Sequence, residues 1–130
     1  MKYLALILIL WAGPAWADEK IDCTAPGSTG EENQCADEAF QKADKEMNAV
    51  WPKLVASAEQ SDLNDDATRK HHYKKMVIAA QRAWLAYRDA DCQLGEFIME
   101  GGSGSGPIIG NCRAYLTEER VKKLKDLLPK

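Results

Sequence analysis

Gln81-Arg82-Ala83-Trp84-Leu85-Ala86-Tyr87-Arg88-Asp89-Ala90-Asp91-Cys92 is the stretch that decides the fold. Its apolar residues recur at three- and four-residue steps, the period of a helix that buries one face. Upstream the same stripe takes in Tyr73, Val77 and Ala80; downstream it reaches Leu94, and Met76, Ala83 and Ala90 widen it. The pattern predicts one long helix from about Asp65 to Phe97. The connector 61–66 precedes it and supplies several candidate N-caps.

On the other side of that connector stands a second helical pattern. Beginning at Cys35, Ala36, Phe40, Ala43, Met47, Val50 (with Trp51), Leu54 and Ala58 share one face. Glu31, Glu32, Asp37 and Glu38 cluster at its start, where the helix dipole favours acids. Pro52 carries no backbone N–H, so it should kink this helix or mark its last regular turns. Beyond the long helix, four glycines and a proline in Gly101-Gly102-Ser103-Gly104-Ser105-Gly106-Pro107 predict a break. Ile108 and Ile109 then return the chain to the core. Thr117 is expected to cap a last helix with Val121, Leu124, Leu127 and Leu128 on one face, ended by Pro129. With no strand alternation, Asn-Gly hairpin or internal repeat, the expected fold is all-α. It is a small disulfide-stapled helical bundle of two longer antiparallel helices plus a short C-terminal helix.

Residues 1–17 read as a cleavable signal peptide. Lys2 gives a positive start, Leu4 to Ala12 is too short to span a membrane, and Ala15-Trp16-Ala17 supplies the small-x-small cleavage pattern. Cleavage after Ala17 would leave Asp18 at the N-terminus, with no cysteine there to take a lipid. Residues 18–34 read as an irregular arm and 35–130 as the helical domain. The expected location is the periplasm, with neither a membrane span nor a lipid anchor after cleavage.

A chain of this length makes one domain, near the size where a core alone gives only modest stability. In an exported chain, Cys23, Cys35, Cys92 and Cys112 therefore read as two disulfides. Three pairings are open. Cys23–Cys35 with Cys92–Cys112 is favoured because each pair brackets a turn-rich segment. The spacing holds no CxxC, which argues against zinc.

Formal net charge is −3. Residues 18–66 hold thirteen acids and four bases, whereas 67–130 hold seven acids and twelve bases. Two readings stand: ordinary solvated helix faces, or an acidic surface that steers a cationic partner. Nucleic acid is not an expected partner of an acidic, exported chain whose basic cluster, Arg69 to Lys75, is short.

Few residues suggest chemistry. His71 and His72 are the only histidines. As neighbours on a helix they point about 100° apart, so they cannot grip one metal as an i, i+4 pair. No histidine accompanies a candidate nucleophilic serine. Asp89, Asp91 and Glu96 find no acid–base counterpart, so no catalytic residue, metal or cofactor is expected. The glycine run lacks phosphate-loop spacing. It reads either as a flexible crossover between Cys92 and Cys112 or as a protruding binding loop, in which Ser103 and Ser105 offer hydrogen bonds to a partner. Arg88, one turn from Trp84 and three residues before Asp91, suits a stacked guanidinium with a local ion pair. That arrangement is scaffolding in one reading. In the other, Arg88 and Asp91 touch a partner.

Cys35-Ala36 and Ala43-Asp44-Lys45-Glu46-Met47-Asn48, followed by Ala80-Gln81-Arg82-Ala83-Trp84 through Cys92, resemble the lysozyme inhibitor LprI-type family. Gly102-Ser103-Gly104, Cys112, Leu116-Thr117-Glu118-Glu119-Arg120 and Leu124 extend the resemblance over about residues 23–128. It implies an exported helical domain whose partner is a protein, with a C-type lysozyme as the candidate, since a lipoprotein member inhibits animal-type lysozyme. The other function it allows is an envelope interaction module that binds peptidoglycan or another exported protein. The chain departs from the family in having no lipobox cysteine and in placing Pro52 after Trp51. No inhibitory residues transfer.

Overall fold

The structure, a computed structural model, describes residues 21–66 and 71–129. The signal peptide and cleavage site expected at 1–17 lie outside the described residues. Four helices follow one another: α1 (Thr29–Leu63), α2 (Tyr73–Cys92), α3 (Leu94–Ile98) and α4 (Ser105–Asp126). The fold is an all-α, disulfide-stapled bundle.

Helix α1 starts six residues before Cys35, inside the segment expected to be irregular. The Ser28 hydroxyl accepts from the Glu31 N–H at 3.2 Å. The Glu31 carboxylate in turn accepts from the Gly27 N–H at 2.6 Å, so the cap satisfies one orphan donor of the helix and ties down the residue before it. Pro52 does not end α1, which continues to Leu63. Its ring lies on the exposed side, where water can serve the carbonyl left without a donor.

The long second helix divides. Residues 61–63 belong to α1, and α2 begins only at Tyr73, after His72 in a left-handed conformation (φ 56°). Asp62 caps it from α1, accepting the Tyr73 and Lys74 N–H groups at 2.6 and 3.0 Å. Gln93 then separates α2 from the single turn of α3. The C-terminal helix, in turn, begins at Ser105, twelve residues before Thr117. Thr117 is no cap; it is fully buried in mid-helix.

The glycines explain the early start. A Cβ on Gly110 would lie 2.8 Å from the Ala36 Cβ, and one on Gly106 would collide with the Asn33 amide. These two positions, one turn apart, bring α4 against the start of α1. There, glycine serves close approach between helices rather than a break.

Contacts fix the directions. Asn33 meets Gly106 and Ala36 meets Gly110, while Glu46 pairs with Lys125, so α1 and α4 run parallel. Glu59 pairs with Lys74, and Asp44 lies 3.8 Å from Arg88. Helix α2 therefore runs antiparallel to α1, and to α4 as well. Met47, Val50 and Leu54 of α1 pack on Val121 and Leu124 of α4 to form the core, flanked by Trp51, Val77, Trp84, Leu85 and Leu128. Cys23–Cys35 and Cys92–Cys112 are disulfide-bonded. The first ties the N-terminal arm to α1; the second ties the end of α2 to α4.

Candidate functional site

Helix α2 turns polar side chains inward. Its buried residues are Gln81, Arg88 and Cys92, whereas Tyr73 and Tyr87 of the expected stripe are exposed. The Arg88 guanidinium lies between the Phe40 and Trp84 rings, 5.1 and 5.3 Å from their centroids. Its Nε and Nη2 donate to Asp89 Oδ1 at 2.9 and 2.8 Å, and Nη1 donates to Thr117 Oγ1 at 3.3 Å. One turn along, Arg120 lies over the other side of the core, 5.4 Å from the Trp84 ring. Its Nε donates to Gln81 Oε1 at 3.0 Å, and burial lowers its pKa. Gln81 Nε2 reaches Met47 Sδ at 3.3 Å. The guanidiniums are thus held by aromatic faces, by the Thr117 hydroxyl and Gln81 amide oxygens and, for Arg88, by the Asp89 carboxylate. Arg88, with 8 % of its side chain exposed, joins three helices and is not offered to a partner. Asp91 is half-buried and accepts from the Tyr87 hydroxyl at 3.2 Å; their proximity raises the Tyr87 pKa.

The Arg88 level also divides the molecule electrically. On one side lie residues 21–41 and 87–116, with nine acids against two arginines. On the other lie 42–66, 71–86 and 117–129, with nine acids against ten lysines and arginines. Both arginines of the acidic end sit near Asp89: Arg88 on it, Arg113 Nε 3.8 Å away. The asymmetry visible between the two halves of the chain becomes, in the fold, an asymmetry between the two ends of the bundle. The parallel packing of α1 and α4 produces it, because the acidic start of α1 joins the acid-bearing turn around α3.

That acidic end carries an apolar tip. Phe97 is 82 % exposed, Ile98 66 %, Leu94 56 % and Met99 38 %. Leu94, expected to close the core stripe, faces outward. Gly95 is the reason: it is the residue α3 turns onto α4, where a Cβ would stand 2.8 Å from the Ile109 side chain and 3.0 Å from that of Ile108. Phe97 follows two residues later, about 200° around the helix, and so points directly away from the contact. The chain then reverses through Glu100 and Gly101, both at positive φ (49° and 75°). Ser103 is exposed in the following turn, and Ser105 is half-buried as the first residue of α4. Sequence reasoning stopped at the glycines and missed α3. The signal available was the run Leu94-Gly95-Glu96-Phe97-Ile98-Met99, more apolar than a helix end facing solvent requires.

The histidines sit at the opposite end, on separate tasks. His71 Nδ1 lies 2.8 Å from Asp65 Oδ2, and its ring stacks on Tyr73. His72 lines a cavity of about 530 Å³ with Lys74, Lys75, Ile78 and Arg82.

Fold and site together define a small, disulfide-stapled helical domain whose Arg88 and Arg120 are committed to its own core and whose acidic end presents an apolar tip. The chain belongs to the lysozyme inhibitor LprI family, whose model matches residues 22–124. It is also similar to the uncharacterized protein R02472 of Rhizobium meliloti (strain 1021), with 34 % identity over 125 residues, covering 94 % of this chain and 90 % of that one. No solved structure matches it. The family is named for inhibition rather than catalysis, and the partner that name carries is a protein.

Proposed function

We propose that this chain is an exported, periplasmic inhibitor of a lysozyme, acting by occluding the enzyme's surface and not by chemistry. The observation that carries this reading is the family match across nearly all described residues. The acidic end supports it. C-type lysozymes are strongly cationic, and opposite potentials speed encounter and fix orientation. In this reading the α3 end covers the substrate cleft, and Ser103 and Ser105 at its edge offer hydrogen bonds to the cleft's polar groups. Arg88 and Asp91 contribute by holding the helices that carry this end.

The test is a cell-wall lysis assay with a C-type lysozyme, titrated with protein beginning at Asp18, at low and at high salt. Dose-dependent inhibition that weakens as salt rises is expected. Inhibition indifferent to salt would remove the electrostatic part. No inhibition at micromolar protein would overturn the reading in favour of an envelope module with another partner.

A further inference from the structure

Resting on that reading, we propose that Phe97 is the anchor of the interface. Helix α3 inserts Phe97, flanked by Leu94 and Ile98, into an apolar pocket of a cationic protein, while Glu96 and Glu100 meet basic residues around it.

Three observations carry this. First, the exposure is built in. Gly95 presses α3 onto Ile108 and Ile109, the Cys92–Cys112 disulfide fixes the root of the segment, and Phe97 is left 82 % exposed with its back to both. An aromatic ring held outward on a short, stapled element loses little conformational freedom on binding, which is what makes a strong anchor. Second, contiguous exposed apolar side chains mark interaction surfaces. The tip is one helical turn, too small to bind flat, so useful burial requires a pocket. Third, charge selects the occupant. The tip stands at the end where nine acids face two arginines already beside Asp89. A second copy of this chain, or an anionic membrane, would bring like charge to the contact. A basic protein brings the opposite.

The experiment compares the chain beginning at Asp18 with three variants in the lysis assay, alongside sedimentation. Phe97→Ala should raise the concentration for half-inhibition by about 30-fold, the scale of an interface anchor. Met76→Ala, at an exposed apolar residue nearer the other end, should leave it unchanged. Ser103→Ala with Ser105→Ala should shift it by less than about 5-fold, as edge hydrogen bonds do. Phe97 supports no packing, so circular dichroism should match the parent. Parent inhibition retained in Phe97→Ala overturns the anchor and leaves the inhibitor reading intact. Absence of inhibition by the parent overturns both. A dimer that Phe97→Ala converts to monomer assigns the face to a second copy and overturns the proposal.

Discussion

Arg88 of α2 donates from Nη1 to the hydroxyl of Thr117 on α4, 3.3 Å away, and Thr117 has no exposed surface at all. A cation this deep is tolerated only when its donors are met. Thr117→Val keeps the shape and removes the acceptor. It should destabilise the protein by about 1–3 kcal/mol, read as a lower urea midpoint with unchanged slope. In an Arg88→Met background the same change should cost much less, since no donor is then left unpaired.

The crossing of α1 and α4 depends on a missing side chain. A Cβ at Gly110 would stand 2.8 Å from the Ala36 Cβ, between two backbones that cannot both stay in place. Gly110→Val should cost about 2–3 kcal/mol through overpacking, despite the better helix propensity of valine over glycine. Thermal unfolding checks it. The contrasting position is Gly102, in the exposed turn and away from the α1–α4 crossing, where the thermal midpoint of an alanine variant should stay closer to the parent's.

Acid should weaken the fold. The Thr24 hydroxyl holds the Asp22 carboxyl below its usual pKa, Lys125 lowers that of Glu46, and the His71 backbone N–H lowers that of Asp65. For a carboxyl whose pKa is depressed on folding, the stabilisation is complete above the unfolded value and is lost as pH falls through the folded one. The melting midpoint should therefore be flat from neutrality to about pH 5 and fall below about pH 4. Asp65→Asn should flatten the acid limb. These groups are exposed, so added salt should shrink the effect.

How much of this was legible in the sequence differs by helix. In α1 the expected stripe contains every buried residue of the helix, with only Phe40 and Trp51 of its members half-buried, because apolar spacing alone decides a face packed by two neighbours. The favoured cystine pairing holds for a similar reason: short separations and turns leave little geometric choice. Helix α2 followed its stripe less closely: Tyr87 points outward and Gln81, outside the stripe, points inward, while the stacking of Arg88 on Trp84 follows from their spacing. Hydropathy does not register that a guanidinium can rest on aromatic faces. Glycine misled twice. Gly106 read as a breaker yet, with Gly110, permits close helix contact, and Gly95, unremarkable in the sequence, turns Phe97 outward. The outward tip was hidden because what exposes it is the partner of Gly95 on α4, information that no local window contains.

The core residues of α1 meet partners that arrive only with Val121 and Leu124, near the end of the chain. Until α4 has been made, the apolar face of α1 has only the partial cover of Val77, Trp84 and Leu85 on α2. A stable core therefore awaits α4, and a chain cut before Val121 should lose the partners of Met47, Val50 and Leu54. The two cystines span only 12 and 20 residues, so both can close at the α3 end beforehand.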